Sequence, residues 1–215
     1  MDSKKLITEF IGTFALIFIG AGAGAVSGSL VAVALAHGLV IVAFAYSLGD
    51  ISGIHINPAV TVGLASGGKI SWGDAAGYII AQLLGAVVGA LLLAVIIGFP
   101  TEAADLGNTT LADGVSPVQG VILEAILTFF LVNTIYHSAV SGKAGNFAPL
   151  AIGFTLVFCI LMGGTLTGAS LNPARTLGPA IISAGAFPWG QLWLYIVGPV
   201  AGGVLAAVVH RVLRD

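Results

Sequence analysis

Two copies of the tripeptide Asn-Pro-Ala are the residues of this sequence best suited to form a polar site. They are Asn57–Ala59 and Asn172–Ala174, separated by 115 positions. Asparagine is favoured as a helix N-cap, and proline (Pro58, Pro173) suits the first helical position because its missing N–H would have no partner there. One copy alone is compatible with an ordinary turn. Two matched copies predict two short helices whose N-terminal dipole ends carry positive partial charge.

Two glutamates repeat with the same separation. Glu9 begins Glu-Phe-Ile-Gly-Thr-Phe and Glu124 begins Glu-Ala-Ile-Leu-Thr-Phe, again 115 residues apart. A carboxylate within an apolar segment is costly unless it is paired or hydrogen-bonded. Two roles are open: a proton relay, or acceptance of backbone N–H bonds that fix the shape of a neighbouring loop. The matched placement of the two glutamates favours the second role.

Arg175 directly follows the second Asn-Pro-Ala copy. The sequence offers no carboxylate near it, so the guanidinium is expected to border water, where it donates hydrogen bonds to a solute and repels cations and hydronium. A structural arginine that holds loop carbonyls is the alternative, and the two roles are compatible.

Other chemistries have no counterpart in the sequence. There is no glycine-rich nucleotide-binding pattern, no His/Cys cluster with metal-ligand spacing and no nucleophile–base constellation. We therefore expect no enzyme, no cofactor, no bound metal and no nucleic-acid partner. The single cysteine, Cys159, excludes an internal disulfide and is expected to pack against protein.

The composition indicates that these residues lie in a membrane. Hydrophobic residues make up 58% of the 215 residues and charged residues 7%, with a mean hydropathy of +1.09. A soluble domain carries about 25% charged residues, so this chain cannot cover a water-facing surface. Several apolar runs reach the ~20 residues that cross a bilayer. They predict six spans, over residues 5–26, 30–49, 74–98, 118–139, 147–163 and 190–211.

Two shorter apolar segments, over residues 57–66 and 172–183, begin at the Asn-Pro-Ala copies. Helices of this length reach only about half of the way across a ~30 Å hydrocarbon core, so they are surface helices or re-entrant half-helices. Each half of the chain has an odd number of spans, so the second half enters the membrane inverted, and the site is expected near the midplane where the halves meet.

The predicted fold class is an all-α membrane protein with six transmembrane helices plus two re-entrant half-helices. We expect a single transmembrane channel domain over residues 1–215, with inverted three-span repeats at about 1–100 and 117–215.

The basic residues predict the orientation in the membrane. Six of the seven lie in the termini or in loops on one side of this topology: Lys4, Lys5, Lys69, Lys143, Arg211 and Arg214. The opposite side carries the loop over residues 101–116, which contains Glu102, Asp105 and Asp113 and no basic residue. Both termini are therefore predicted to be cytoplasmic.

The segments that precede the half-helices, residues 52–56 and 167–171, are expected to be non-helical. Such backbone is tolerated at membrane depth only where it is buried or lines a wet path. Its carbonyls would form a ladder of acceptors along one wall of a narrow pore, opposite apolar side chains. Gly168, Ser170 and His55 belong to this wall, and His55 is expected to hydrogen-bond within its own loop.

These residues resemble the signature of the aquaporin, or major intrinsic protein, family over the whole chain. The resemblance implies a passive water channel in the cell membrane, in contact with lipid, with one pore in each subunit of a homotetramer. It also implies that the amides of Asn57 and Asn172 orient the passing solute.

The family's outer constriction, carried over by its spacing from the two motifs, is His37, Ile160, Ala169 and Arg175. This His/Ile/Ala/Arg filter resembles the plant tonoplast intrinsic protein branch, in which water passes readily and ammonia often passes too. An ordinary core histidine and ordinary packing are the alternatives for His37 and Ile160. The sequence departs from the family at Ile54, where glycine is usual, and the branched side chain is expected to narrow or stiffen the cytoplasmic approach.

Three other functions stay open from the sequence. They are a facilitator for small neutral solutes such as glycerol, a proton-coupled secondary transporter that uses Glu9 or Glu124 as carrier, and a structural protein with a closed pore.

Overall fold

The computed structural model describes residues 2–98, 106–183 and 185–214. Within these residues the chain is helical, with no β-strand, and six helices are long and apolar enough to cross a membrane. In chain order, spans 1 to 6 are Ser3–Ser27, Leu30–Ser52, Trp72–Ile97, Pro117–Val140, Gly145–Thr167 and Trp189–Arg214. Each overlaps one predicted span, so the predicted fold class is confirmed. Glu102 and Asp105 of the predicted acidic loop lie outside the described residues.

An even number of spans leaves both termini on one side of the membrane. We call this the terminal side and the opposite one the far side. Spans 1, 3 and 5 begin on the terminal side, and spans 2, 4 and 6 begin on the far side.

Two short helices interrupt this alternation, half-helix 1 (Pro58–Ser66) and half-helix 2 (Pro173–Ile182). Each begins after an extended asparagine N-cap. Asn57 Oδ1 accepts from the backbone N–H groups of Ala59 and Val60, and Asn172 Oδ1 accepts from the equivalent pair in half-helix 2. Both helix starts predicted from the Asn-Pro-Ala copies are thus confirmed, and the caps satisfy N–H groups that would otherwise be unpaired.

Each half-helix packs against the third span of the opposite half, half-helix 1 on span 6 and half-helix 2 on span 3. Glycines at matched positions allow the close approach. A Cβ at Gly63 would lie 2.8 Å from the Gly203 carbonyl oxygen, and one at Gly178 would lie 2.7 Å from the Ala86 carbonyl oxygen. Small residues of this kind are the usual means by which membrane helices bring their backbones together.

Spans 2 and 5 cross at a pair of glycines that face each other. A Cβ on Gly38 would lie 2.7 Å from the Gly153 carbonyl oxygen, and a Cβ on Gly153 would lie 2.7 Å from the Gly38 carbonyl oxygen. The two positions are 115 residues apart. The equal distances follow from the inverted relation of the two halves.

Candidate functional site

The polar site is built on two short loops, loop 1 (residues 53–57) and loop 2 (residues 168–172), which lead into the half-helices. A glycine in the left-handed region ends the preceding span in each case, Gly53 with φ 88° and Gly168 with φ 78°. Glycine adopts this conformation without steric cost. The chain therefore leaves the helix at the same place in both halves.

The asparagine side chains join the two loops. Asn57 Nδ2 donates to the Leu171 carbonyl oxygen at 2.8 Å, and Asn172 Nδ2 donates to the Ile56 carbonyl oxygen at 2.9 Å. Each asparagine thus caps its own half-helix through Oδ1 and bonds to the opposite loop through Nδ2. An amide nitrogen has two donors, so each side chain keeps a second N–H beyond this bond.

Glu9 in span 1 shapes loop 1. Its Oε1 accepts from Ser52 Oγ at 2.7 Å and from the His55 backbone N–H at 2.9 Å. Its Oε2 accepts from the Ile56 backbone N–H at 2.7 Å and from Gln82 Nε2 at 2.8 Å. The carboxylate is fully buried. Four donors compensate for that burial, as a charged group at membrane depth requires.

Glu124 in span 4 shapes loop 2 in the same way. Its Oε1 accepts from Thr167 Oγ1 at 2.7 Å and from the Ser170 backbone N–H at 2.9 Å, and its Oε2 accepts from the Leu171 backbone N–H at 2.7 Å. It too is fully buried. These contacts match the loop-shaping role that the sequence favoured for both glutamates.

The loops hold four non-glycine residues in the left-handed region, Ile54, Ile56, Ala169 and Leu171, with φ from 41° to 54°. Such a conformation costs of order 1–3 kcal/mol per residue and persists only where the surroundings impose it. Here the glutamates bind the N–H groups of neighbouring loop residues. The hydrogen bonds offset the strain and hold the loops in one conformation.

Sequence reasoning missed the tyrosines and threonines that complete these supports. Tyr78 Oη donates to the Ser52 carbonyl oxygen at 2.9 Å, and Tyr195 Oη donates to the Thr167 carbonyl oxygen at 2.7 Å. Ser52 and Thr167 are themselves 115 residues apart and bind Glu9 and Glu124 through their hydroxyls. A residue-by-residue comparison of the two halves at this offset would have found that pair.

A second hydroxyl pair at the same offset is Thr61 and Thr176, one turn into each half-helix. Thr61 Oγ1 lies 3.2 Å from His55 Nδ1, and Thr176 Oγ1 lies 2.7 Å from Ser170 Oγ. Each hydroxyl thus binds the loop side chain six residues before it. His55 is fixed by the start of its own half-helix, and Ser170 is held in the corresponding place.

A cavity of about 250 Å³ runs along both loops. Its wall includes His37 and Arg175 on the far side and Asn57 and Asn172 in the middle. It also includes loop residues and, towards the terminal side, apolar side chains of spans 2, 4 and 5. His55 and Ser170 contribute to the wall as well. The cavity therefore passes the point where the half-helices meet.

Arg175 is buried and fixed at the far-side end of the cavity. Its backbone N–H is capped by Asn172 Oδ1, and its Nη1 donates to the Gly107 carbonyl oxygen at 2.5 Å. The guanidinium thus both lines the cavity and holds a loop carbonyl, so the geometry is compatible with both roles considered for it from the sequence.

The remaining predicted filter residues are buried nearby but are not part of the cavity wall. Ile160 and Ala169 are 3% and 2% exposed and pack in the central hydrophobic cluster. Gly168 packs against Thr109, whose Cα a Cβ at Gly168 would approach to 2.8 Å. The structure brings His37 and Arg175 together at the cavity and leaves Ile160, Ala169 and Gly168 behind this surface.

His37 lies beside the cavity and carries a ring acceptor that is unpaired in the described part of the chain. Its Nδ1 lies 2.8 Å from the Val33 carbonyl oxygen. A carbonyl only accepts, so Nδ1 carries the proton of the neutral ring and Nε2 is an acceptor. Nε2 is buried and has no hydrogen-bond partner among the described residues. His37 contributes to the cavity wall, and Nε2 is the ring acceptor that no described residue uses.

The position of the His37 ring depends on Gly20, within the π-helical part of span 1 (Leu16–Ala21). A Cβ at Gly20 would lie 2.7 Å from His37 Nε2 and Cδ2. We expect Gly20→Ala to displace the ring and slow water flux about fivefold, the effect of a barrier raised by ~1 kcal/mol. Osmotic shrinkage of proteoliposomes measures the change.

Gly49→Ala is the matched control, because the same change in span 2 meets no atom within 4 Å. Equal flux through Gly20→Ala and Gly49→Ala would show that the ring position does not limit the channel.

Cys159 is fully buried and lies 3.6 Å, through Sγ, from the Leu127 carbonyl oxygen, so it packs against protein. Within residues 2–98, 106–183 and 185–214, no three His, Cys, Asp or Glu side chains come together as a metal centre would require.

The model of the Major intrinsic protein family matches residues 1–210 of the chain. The chain belongs to this family. It is 42% identical over 226 residues to Aquaporin TIP1-2 of Zea mays, which covers 98% of this chain and 86% of that protein. It is 41% identical over 228 residues to Aquaporin Z of Rhodopseudomonas palustris, with 99% and 94% covered.

Among solved structures, the chain is similar to the aquaglyceroporin from Plasmodium falciparum. The TM-score is 0.83 at 28% identity, with 98% of this chain and 96% of that chain covered. Members of the major intrinsic protein family are channels rather than enzymes, so this chain is a transmembrane channel for water or small solutes. The relatives include plant TIP proteins, in agreement with the branch resemblance noted in the sequence.

Proposed function

We propose that this member of the family is a passive water channel that also passes ammonia. The observation that carries the proposal is the reciprocal asparagine contact inside the cavity. Both amides are locked by bonds to the opposite loop, so their remaining N–H donors have a fixed direction. A water molecule at the midplane can accept from these donors without any rearrangement of the protein.

The proposed filter is the set His37, Ile160, Ala169 and Arg175. Arg175 supplies donors and a positive charge that repels cations, while His37 Nε2 supplies an acceptor. Water can use both groups, and ammonia can donate to the same histidine nitrogen. Ile160 and Ala169 would support this filter from behind with apolar bulk and a small side chain.

The contacts of Glu9 and Glu124 speak against a proton-coupled transporter. A carrier carboxylate must release its partners to exchange protons, whereas these two accept four and three hydrogen bonds from fixed donors. Disrupting them would cost stability, so a shuttling role is unfavourable.

We further propose a multi-pass protein of the cell membrane with both termini cytoplasmic. Lys69 follows half-helix 1, and Lys143 lies in the connection between spans 4 and 5. Arg211 and Arg214 lie in the last turn of span 6. All four share the terminal side with Lys4 and Lys5. This bias is the positive-inside pattern. The exposed apolar side chains of the spans suit contact with lipid and, in the proposed homotetramer, with neighbouring subunits.

His37→Phe tests the assignment of the filter. It removes the Nε2 acceptor, so we expect ammonia permeability to fall by roughly fivefold or more, and to fall further than water permeability. Vesicle shrinkage reports water entry and exit, and an internal pH dye reports ammonia uptake. Glycerol uptake is followed in the same vesicles.

His137→Phe is the matched control. His137 Nδ1 also bonds to a carbonyl one helical turn earlier, that of Asn133 at 2.9 Å, and its Nε2 is likewise buried without a partner among the described residues. His137 is not part of the cavity wall. Equal loss of ammonia flux in both variants would remove His37 from the filter, and glycerol entry as fast as water would favour a glycerol facilitator.

A further inference from the structure

The inverted repeat gives every residue of the proposed filter a counterpart on the terminal side. At the 115-residue offset, His37 corresponds to Ile152, Ile160 to Ala45, Ala169 to Ile54 and Arg175 to Val60. We call Ala45, Ile54, Val60 and Ile152 the mirror ring. All four side chains are apolar, whereas the filter carries an arginine and a histidine.

All four residues of the mirror ring line the cavity. They come from four separate elements, span 2, loop 1, half-helix 1 and span 5, so they approach the cavity from different directions. Beyond them the wall continues with Ala139 and Val140 at the terminal-side end of span 4. A solute that has passed the asparagines therefore meets these apolar side chains along the cavity on its way to the terminal side.

Ile54 is the member whose position is most constrained. Its φ of 47° lies in the left-handed region, which a β-branched residue rarely adopts. The neighbouring N–H groups of His55 and Ile56 are bound by Glu9, and a Cβ at Gly12 would lie 3.5 Å from Ile54 Cδ1. The side chain thus lies between span 1, with its Cδ1 close to Gly12, and the cavity.

We infer that the mirror ring is a second constriction, apolar in character, which limits water flux and excludes solutes of glycerol size from the terminal side. No side chain of the ring can replace a hydrogen bond that a solute gives up, so each solute crosses with only backbone groups and neighbouring water as partners. The free-energy cost of these lost hydrogen bonds is small for water or ammonia and larger for a polyol with several hydroxyls. This inference rests on the proposed function, because it concerns the same conduction path.

Ile54→Gly tests the mirror ring. Glycine adopts the required φ without strain, and its substitution opens the wall next to Val60. We expect water permeability per channel to rise about threefold and glycerol uptake to become measurable in proteoliposomes. Unchanged water and glycerol permeability in a folded Ile54→Gly channel would overturn the inference.

Ala45→Leu provides the test in the opposite direction and decides the matter if Ile54→Gly does not fold. The added bulk at the ring is expected to lower water permeability about threefold or more. Ala43→Leu is the matched control, because Ala43 lies on the same helix, is exposed and is not part of the cavity wall. Equal permeability of the two leucine variants would contradict a constriction at Ala45.

The outcome for the unmodified channel separates this inference from the proposed function. Water permeability no higher than that of empty liposomes would overturn the proposed function and, with it, the mirror ring. A conducting channel whose permeability responds to His37→Phe but to neither ring variant would overturn the mirror ring alone.

Discussion

Glu124→Leu is expected to destabilise the channel by about 3–9 kcal/mol and to abolish water flux. The substitution leaves the Thr167 hydroxyl and the N–H groups of Ser170 and Leu171 without their acceptor in a buried setting. Each orphaned donor costs about 1–3 kcal/mol. Leu171 would lose the bond that holds it at positive φ, and the Thr167 hydroxyl, which accepts from the Ala169 N–H, would lose its own acceptor. Loop 2 would then relax and release Arg175.

Thermal unfolding in detergent and osmotic shrinkage of proteoliposomes measure the two effects. Glu124→Gln is expected to fall between Glu124→Leu and the unmodified protein, because its amide keeps one acceptor oxygen but turns a donor towards another donor. Asp74→Asn is the matched control, since Asp74 accepts from Ser71 Oγ at an exposed helix start. Wild-type stability in Glu124→Leu would contradict the loop-shaping role.

Asn172→Asp is expected to lower water permeability about tenfold and to destabilise the protein by ~2 kcal/mol. Aspartate keeps the oxygen that caps Ala174 and Arg175 but replaces the Nδ2 donor, so an oxygen then faces the Ile56 carbonyl oxygen. The lost bond and the unsatisfied buried carbonyl account for the destabilisation. A carboxylate at the midplane also counteracts the repulsion of cations by Arg175, so cation conductance is expected to appear.

Planar-bilayer conductance measures the cation leak, and vesicle shrinkage measures the loss of water flux. Ser71→Ala is the control for capping alone, because it removes the N-cap of span 3 without touching the cavity, at a cost of ~1 kcal/mol. Asn57→Asp should repeat the effect of Asn172→Asp, since the two asparagines make reciprocal bonds. Asn172→Asp channels with wild-type water flux and no cation conductance would refute the proposed role of the amides.

The sequence was enough to predict the spans, the half-helices and the glutamates because each depends on local pattern or on the repeat. Runs of apolar residues predict spans regardless of their neighbours, and an Asn-Pro pair predicts a helix start from the chemistry of its own residues. The match between Glu9 and Glu124 needed only the offset of the two halves.

Other parts of the site were beyond sequence reasoning because they depend on tertiary contacts. Gln82 binds Glu9 and Thr61, yet it is one polar residue in span 3 with no pattern that indicates a partner. The tautomer of His37 follows from its bond to the Val33 carbonyl, and its place follows from the absence of a side chain at Gly20. The His37 contacts with Val33 and Gly20 have no counterpart among the described residues of the second half of the chain. A comparison of the two halves at the 115-residue offset could therefore not reveal them.

Two of the four predicted filter residues line the cavity and two do not, because tertiary contacts decide which side chains reach it. Arg175 and His37 reach the cavity because a half-helix start and a small neighbour direct them there. Ile160 and Ala169 share the hydrophobic cluster with many similar residues, and spacing along a helix does not decide which apolar side chain faces a cavity. The participation of these two in the filter stays a prediction.

The most direct test of the account is the osmotic water permeability of the unmodified protein in liposomes, measured by stopped-flow light scattering against empty liposomes. We predict fast shrinkage that does not saturate, is unchanged by a pH gradient and falls in Asn172→Asp. Shrinkage no faster than in empty liposomes would contradict an open water channel. Slow, saturable uptake that follows a proton gradient would instead require the transporter that the buried glutamate contacts argue against.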